Sequence, residues 1–181
     1  GVALIDLNEH DNFESYVGSI NGKNSAAYYR RKAIKNGYTF REINKNDFIE
    51  SIHEINNSAK IRQGQEMSEK YKLKQNEYPI EPAFKYFGVF DGEGKLVAYS
   101  DIGFFGEFSL IAVLLGHKDH LNNGVMYFML IELSQLMYLE HLSKGYKYIM
   151  YDTFFGASDG LKKFKTKLGF KPYKVKWKWG N

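Results

Sequence analysis

The stretch that decides the fold lies at residues 108–139 and reads FSLIAVLLGHKDHLNNGVMYFMLIELSQLMYL. Its first eight residues are almost all apolar, which is typical of a β-strand covered on both faces. A polar bend over residues 116–123 follows, and Gly124 then precedes an apolar run too long for a strand. That run predicts a helix with most of its circumference buried. The stretch therefore indicates a strand, a turn and a helix of an α/β protein.

Three further elements continue this unit towards the end of the sequence. Tyr148–Asp152 predicts a second short buried strand. Ser158 or Asp159 can cap a helix that extends through Lys167 and closes at Gly169. A last strand is predicted where two kinds of side chain alternate, with Tyr173, Val175, Trp177 and Trp179 on one face and Lys174, Lys176 and Lys178 on the other.

The first hundred residues are less regular but supply the remaining elements of the same fold. Strands are predicted at residues 2–7, 38–43, 84–90 and 96–100, and helices at 11–20, 25–35 and after Asn46 or Asp47. With 181 residues, of which 44% are hydrophobic, the chain can bury a core without disulfides or a structural metal. We therefore predict one α/β domain over residues 1–181.

The turn before the long helix is a candidate anion site. The first amides of a helix have no partner within it and lie at the positive end of its dipole. Glycine also permits close approach of the backbone. Asn122, Asn123, Gly124 and Val125 are therefore the predicted ligands of a pyrophosphate or another oxyanion. The alternative is an ordinary turn with a helix cap.

At this point the chain resembles the GCN5-related N-acetyltransferase (GNAT) superfamily, and within it the FemAB/FemX acyltransferase branch. The likeness depends on three loose patterns. The first consists of Phe13-Glu14-Ser15-Tyr16, Lys23 and Tyr29-Arg30-Arg31-Lys32-Ala33. The second is Asp152-Thr153-Phe154-Phe155-Gly156, and the third is Leu161–Lys165 followed by Leu168-Gly169-Phe170. The resemblance implies a single GNAT-like domain. Its central sheet would be mixed, mostly antiparallel, splayed in the middle and flanked by helices.

The resemblance also implies acyl transfer to an amine by direct attack. The donor would be acetyl-CoA or another acyl-CoA, or alternatively an aminoacyl-tRNA. Leu115 and Gly116 lie where the strand predicted from residue 108 ends, and they would align the acyl arm of the donor. The phosphate loop departs from the superfamily pattern, because Leu121 and Met126 occupy positions usually held by Arg or Gln and by Gly or Ala, and Gly124 alone is kept.

Three residues are candidates for the catalytic chemistry. An attacking amine must lose a proton, and a histidine or a carboxylate can take it. His117 and Asp152 follow two neighbouring strands and are the predicted bases, although either can instead be a structural cap. Phe164-Lys165 matches a Phe-Lys pair of the Fem enzymes, so Phe164 is predicted to touch substrate. Lys165 would contact a phosphate or assist the leaving group.

The polar stretch from Lys60 to Pro82 is the predicted acceptor region. Long irregular stretches inside a domain are often binding loops, and the resemblance places the acceptor pocket here. Arg62, Gln63 and Tyr71 are the candidate acceptor ligands, and a plain solvated loop is the alternative.

Composition excludes several classes of chemistry. The chain has no cysteine, so disulfides, thiolate metal sites and cysteine nucleophiles are excluded. His117 and His120 flank Asp119, but three ligands so close in sequence rarely converge on one metal, and we predict no metal. We also expect no membrane span and a cytoplasmic location, because no apolar run of about 18 residues lacks a polar break.

Charge is uneven along the chain. Residues 151–181 hold eight lysines against two aspartates, whereas the whole chain has a net charge of +4. The lysines can simply protect an exposed strand edge. Alternatively they bind an anionic partner such as tRNA or DNA. Two rival functions remain open on this basis, namely modification of a nucleic-acid base and a non-catalytic binding module that keeps the fold.

Overall fold

The computed structural model describes residues 1–62 and 65–176. In chain order the elements are β1 (Val2–Asp6), α1 (Phe13–Ser19), α2 (Ala26–Lys35), β2 (Thr39–Glu42), α3 (Ile49–Asn57), β3 (Ile61–Arg62), β4 (Gln65–Glu66), α4 (Glu69–Lys72), β5 (Phe84–Phe90), β6 (Leu96–Phe105), β7 (Phe108–Gly116), α5 (Val125–Lys144), β8 (Tyr148–Thr153), α6 (Asp159–Lys167) and β9 (Lys171–Tyr173). Strands β3 and β4 form a separate small ladder.

Seven strands form the central sheet in the order β2-β5-β6-β7-β8-β1-β9. Strands β7 and β8 are parallel, and the other neighbours are antiparallel. A parallel pair needs a crossover connection, and helix α5 supplies it. The predicted fold class, a mixed and mostly antiparallel sheet flanked by helices, is confirmed.

The splay predicted for the middle of the sheet lies between β7 and β8. These strands pair at three positions, from Phe108 opposite Tyr148 to Leu110 opposite Met150. Strand β7 then runs on to Gly116 while β8 turns away, so a gap opens between them. On its other edge β7 carries a bulge, because Ile111 and Val113 pair with consecutive residues of β6. Ala112 is therefore the extra residue, and a bulge bends its strand at that point.

The core lies in two layers, one on each face of the sheet. Helix α5 covers one face, and its Leu130 and Ile131 pack with Ile102 and Ile111 of the sheet. Helix α3 covers the other face through Ile52 and Ile55. The apolar circumference of α5 predicts this burial, since eight of its residues are fully enclosed.

The helix caps were partly predicted. Ser158 accepts a hydrogen bond from the Leu161 amide and caps α6, and Gly169 closes the helix in the left-handed conformation. The prediction that Asn46 or Asp47 caps α3 is wrong. Asn44 instead caps a short 3-10 helix that leads into α3 without a side-chain cap of its own. The helix predicted from residue 11 is capped by Asn12.

The two chain ends meet in the sheet. Strand β1 lies between β8 and β9, a position that the sequence pattern did not indicate. Strand β9 covers Lys171–Tyr173, and residues 174–176 are not in a strand, so the prediction of a strand that starts at Tyr173 is wrong for these residues. Trp177, Lys178 and Trp179, assigned to that strand, lie outside the described residues. Within residues 1–62 and 65–176, no helix is long and apolar enough to cross a membrane.

Candidate functional site

A cavity of about 470 Å³ opens where β7 and β8 separate, and we call it the inter-strand cavity. Strand β7, the turn before α5, the first turns of α5 and α6, and the segment around β3 contribute its walls. Its lining residues are Ala59, Ile61, Arg62, Met67, Leu114, Leu115, Gly116, Leu121, Met126, Tyr151, Gly160, Leu161 and Phe164. The splay of the sheet and the short pairing of β7 with β8 therefore create the space.

The turn between β7 and α5 is more tightly packed than an open anion site. It forms a short 3-10 helix over Lys118–Asn123, and the Gly124 amide donates to the Leu121 carbonyl at 3.2 Å. Gly124 has φ +82°, and a Cβ there would lie 2.6 Å from the Tyr29 carbonyl oxygen of α2. The Gly124 amide therefore already has a protein partner, and the absence of a side chain allows α2 to pack closely here. Its assignment as a phosphate ligand stays a prediction.

The other predicted phosphate ligands also have protein partners. The Asn122 carbonyl accepts a hydrogen bond from Lys32 Nζ at 2.7 Å, and the Asn123 amide group donates to the Tyr38 hydroxyl at 2.9 Å. The Val125 side chain is fully buried. Helix α5 still begins at Val125, so the backbone amides of its first turn point towards the turn that precedes the helix.

Two apolar side chains cover the end of β7 beside that helix start. A Cβ on Gly116 would lie 2.6 Å from Met126 Sδ and 3.0 Å from Leu121 Cδ2. These are the two positions at which the sequence departs from the phosphate-loop pattern of the superfamily that it resembles. The departure therefore has a structural consequence, since Leu121 and Met126 pack on Gly116 and give this wall of the cavity an apolar surface.

Arg62 lies at the junction of β7 and α3. Its guanidinium donates to the Gly116 carbonyl at 2.8 Å, to the Ile55 carbonyl at 2.6 Å and to Ser58 Oγ at 3.1 Å. Burial lowers the pKa of Arg62. Its Nε is buried and has no hydrogen-bond partner among the residues that the structure describes. Arg62 thus fixes the end of β7 and also lines the cavity.

A groove of about 380 Å³ adjoins the inter-strand cavity. We call it the acceptor-side groove, because residues of the predicted acceptor region line it. The two spaces share five residues, which are Arg62, Met67, Leu114, Leu115 and Tyr151. Beyond them the groove is lined by Tyr71 of α4, by Ile111–Val113 at the bulge, and by Asp152. A molecule in the groove would therefore reach the bulge of β7 from the side opposite to α5.

Asp152 has an unusual backbone conformation. Its φ of +49° lies in the left-handed region, which a residue with a Cβ rarely adopts. The side chain is exposed at the edge of the groove. Such strain is found preferentially at functional sites. Among the predicted bases, Asp152 is thus the one that borders the connected spaces.

His117 directly follows β7, as predicted, but it is outside the lining of the cavity and of the groove. Its Nδ1 accepts from the Asp119 amide at 3.3 Å, so the ring caps the 3-10 helix. Burial lowers the pKa of His117, and the Asp119 carboxylate opposes that shift. The structure therefore gives this histidine a capping contact.

Lys165 is completely buried. Its ammonium donates to the Tyr151 carbonyl at 2.7 Å and to the Thr153 carbonyl at 2.6 Å, and it lies 4.4 Å from the centre of the Tyr151 ring. Burial lowers the pKa of Lys165. The side chain joins α6 to the end of β8 behind the cavity wall, whereas its neighbour Phe164 faces the cavity.

An aromatic stack that sequence reasoning missed lies beside the cavity. The Tyr29 and Tyr127 rings are stacked at 4.9 Å, Phe164 lies 4.7 Å from Tyr127, and Lys167 Nζ lies 5.3 Å from the Tyr29 ring. These residues come from three different helices. No local sequence signal brings them together, so tertiary packing alone reveals the stack.

The predicted site residues thus fall into three groups. The inter-strand cavity contains Arg62, Leu115, Gly116 and Phe164. The acceptor-side groove adds Tyr71 and Asp152. Residues outside both linings are His117, Asn122, Asn123, Gly124, Val125 and Lys165. Gln63 lies outside the described residues.

The described part of the chain contains no group of three or more His, Cys, Asp or Glu side chains that could hold a metal ion. His117 and His120 lie with their ring centres 5.7 Å apart. His120 Nδ1 pairs instead with the Tyr38 hydroxyl at 2.7 Å.

No protein-family model matches the sequence, and a search of curated proteins found no match either. Solved structures do match. The C-terminal DUF2156 domain of a protein assigned as a lysylphosphatidylglycerol synthetase from Agrobacterium fabrum gives a TM-score of 0.62 at 14% identity, over 94% of this chain and 57% of that one. A GCN5-related N-acetyltransferase from Kribbella flavida gives 0.53 at 13% identity, over 94% and 53%. L-PGS from Bacillus licheniformis gives 0.55 at 16% identity, over 93% and 56%.

These likenesses define the class of fold. The chain has the α/β fold of the GCN5-related N-acetyltransferases, with the splayed sheet and the cavity described above. It spans a little over half the length of the three structures just compared.

Proposed function

We propose that this chain is an acyltransferase that moves an acyl group, acetyl or aminoacyl, from a CoA thioester or an aminoacyl-tRNA to an amine. The observation that carries the proposal is the inter-strand cavity. It lies at the separation of two parallel strands, next to a helix N-terminus, and continues into a second groove. A donor and an acceptor can therefore meet at β7 from opposite sides, which direct transfer requires.

The chemistry needs one bond to form and one to break. The amine nitrogen attacks the acyl carbonyl, the new C–N bond forms, and the C–S or C–O bond to the donor breaks. The amine proton passes to a base, and the leaving thiolate or alkoxide takes up a proton. Asp152 remains the proposed base because it borders the groove, and His117 the alternative. No cysteine exists for a covalent intermediate.

The bulge at Ala112 supports a location for the reacting carbonyl. A bulge disrupts the regular ladder on one edge of β7, and pairing with β8 on the other edge stops at Leu110. Backbone N–H groups at such a break can stabilise the oxyanion that develops on a carbonyl under attack. Ala112 is exposed and lines the groove. We therefore place the acyl group along Ala112–Gly116.

The remainder of the donor would lie on the α5 side. Its acyl arm would follow Leu114–Gly116, and its phosphates would lie at the start of α5, near Lys32 and the first-turn amides. The stack of Tyr29, Tyr127 and Phe164 beside Lys167 suits a nucleobase, because aromatic faces and a cation both favour stacking. This stack serves either donor class.

Two observations favour a test of aminoacyl-tRNA alongside CoA. The apolar Leu121 and Met126 replace the usual phosphate-loop residues, which weakens the case for acetyl-CoA specifically. Lysines of the C-terminal segment, including Lys174 and Lys176, are exposed and suit a polyanion. The FemAB/FemX likeness motivates the same test. These lysines would also serve the rival function of modifying a nucleic-acid base.

Thermal melting with acetyl-CoA, free CoA and aminoacyl-tRNA tests the proposal, because a ligand bound to the native state raises the melting temperature. The blocking variant is Gly160→Trp. A Cβ at Gly160 meets no atom within 4 Å, so the indole can enter the cavity without disturbing the core. Gly160→Ala is the matched control.

We expect a donor-dependent shift in the native protein and in Gly160→Ala, and its loss in Gly160→Trp. A shift with CoA ligands would identify a CoA-dependent transferase, and a shift with charged tRNA alone would identify an aminoacyltransferase. If no donor shifts the melting temperature, the acyltransferase proposal fails and the non-catalytic binding module takes its place.

A further inference from the structure

A polar pocket of about 390 Å³ continues from the far end of the acceptor-side groove. It shares Tyr71 and Val113 with the groove and contains Lys45 and Asp101 in its walls. The inter-strand cavity, the groove and this pocket therefore lie next to one another along one strand, β7. The chemistry changes along the series, since the first space is largely apolar and the last holds buried charges.

Asp101 has one oxygen with a partner and one without. Its Oδ2 accepts a hydrogen bond from Lys45 Nζ at 2.8 Å, and the two side chains are only 14% and 10% exposed. Its Oδ1 is buried and has no hydrogen-bond partner among residues 1–62 and 65–176. A carboxylate oxygen can accept about two hydrogen bonds. A buried oxygen that accepts none is costly and calls for a functional explanation.

Aromatic rings surround the partner of Asp101. Lys45 Nζ lies 4.2 Å from the ring centre of Tyr78, 5.1 Å from that of Tyr86 and 5.6 Å from that of Tyr99. The Tyr99 hydroxyl donates in turn to Asn56 Oδ1 at 2.8 Å. Lys45 is thus packed among three rings in a position from which it donates to Oδ2. This arrangement leaves Oδ1 for a ligand, and packing of its partner favours a preorganised binding site.

Asp101 also lies beside the proposed reaction centre. Its Cα pairs with Val113 across the β6 and β7 ladder, immediately next to the bulge at Ala112. Burial raises the pKa of Asp101, and the Lys45 charge opposes that shift. Of the carboxylates that line the groove and the pocket, Glu66, Glu77 and Asp152 are exposed, so Asp101 is set apart by its burial.

We propose that Asp101 Oδ1 binds the amino group of the acceptor, which is a primary amine whose neighbouring carbons lie against Tyr71 and Val113. The proposal rests on the proposed acyl-transfer function. A carboxylate accepts hydrogen bonds and cannot donate them, so this point selects an amine over a carbonyl or a phosphate. The Asp101 carboxylate favours the protonated form of the bound amine and the Lys45 charge opposes it, so the amine gives its proton to the base before it attacks.

The test is a binding titration without any donor, in which ligand-observed NMR measures the binding. The ligands are phenethylamine and phenethyl alcohol, which differ in the amino group that Asp101 would bind. The proteins are the native chain, Asp101→Asn and Glu77→Gln. The last variant removes the same charge from an exposed position in the same pocket, so it controls for general electrostatic attraction.

We expect the native chain and Glu77→Gln to bind the amine at least tenfold more tightly than the alcohol. Asp101→Asn should reduce this preference about tenfold or more, because the charge-assisted hydrogen bond from the ammonium group is lost, whereas the neutral alcohol never had that charge. Equal binding of amine and alcohol by the native chain would overturn the proposal. An unchanged preference in Asp101→Asn, or an equal loss in Glu77→Gln, would overturn it as well.

A second measurement uses the native chain alone and covers the case in which Asp101→Asn does not fold. Intermolecular nuclear Overhauser effects should connect the methylene protons of bound phenethylamine to the Val113 methyl groups. Contacts to a different surface instead would refute the site. Since neither measurement contains a donor, a failure of donor binding and a failure of this amine site remain distinguishable.

Discussion

The two faces of the sheet beside β7 are built in different ways. On the α5 face, close packing at two glycines brings the elements together, since Gly116 lies under Met126 and Gly124 lies against Tyr29. On the α3 face, buried charged groups lie beside the strand instead, namely Arg62 and the pair of Lys45 with Asp101. A hydrophobic contact needs only area, whereas each buried charge needs a partner. The comparison teaches that β7 is packed against apolar side chains on one face and is held by charged hydrogen bonds on the other.

The largest effect should come from removal of one member of the ion pair. Lys45→Met leaves the Asp101 carboxylate buried without a cation, and we expect a loss of about 3–5 kcal/mol in the free energy of unfolding. Urea denaturation measures it. The double variant Lys45→Met with Asp101→Leu should recover most of that loss, because no uncompensated charge remains. A double variant as unstable as the single one would show that the α3 face depends on shape after all.

A smaller effect should follow from a single methyl group on the α5 face. Gly124→Ala places a Cβ 2.6 Å from the Tyr29 carbonyl in a left-handed residue. We expect a loss of about 2–3 kcal/mol from backbone strain and displacement of α2. Gly160→Ala is the matched control, since its Cβ meets open space and its backbone is not left-handed. If both variants unfold at the same urea concentration, Gly124 is not needed for packing and its role in ligand binding regains support.

The smallest effect concerns His117 at the end of β7 and appears in a pH profile. Its pKa is lowered from the ordinary value of 6.5, mainly by burial. As the pH falls below 6.5, the unfolded chain therefore binds a proton that the folded chain resists, and stability declines. His117→Asn can still cap the 3-10 helix but cannot titrate, so its melting temperature should fall less between pH 7 and pH 5. Parallel profiles for the two proteins would contradict the lowered pKa.

Local patterns were sufficient for most elements near the site. The apolar run before Gly124, the serine before α6 and the left-handed glycine after it each depend on neighbouring residues, and the structure places them as predicted. One cavity also contains four of the predicted site residues, which are Arg62, Leu115, Gly116 and Phe164. Their roles in that cavity remain proposals. The contact of Gly124 with Tyr29 could not be predicted in this way, because Tyr29 belongs to another helix.

The polar part of the site could not be predicted in this way. Lys45 and Asp101 are 56 residues apart, and the rings around Lys45 come from the loop before β5 and from two strands. One hint was present, since Ser100 and Asp101 interrupt an otherwise apolar strand. A polar residue in a buried strand indicates a partner but does not identify it. The identity of that partner depends on the register of β6 and the position of the segment before α3.

The place of β1 in the sheet bears on the order of events during folding. Strand β8 holds to β7 at three positions but pairs with β1 at four, from Val2 opposite Thr153 to Asp6 opposite Tyr148. Strand β8, which contributes Tyr151 to the inter-strand cavity, is thus anchored by contacts between residues 142–151 positions apart in the chain. Such contacts have a high loop-closure cost and form late. We expect the rest of the sheet to assemble first and the cavity to take its final shape only when the first strand docks.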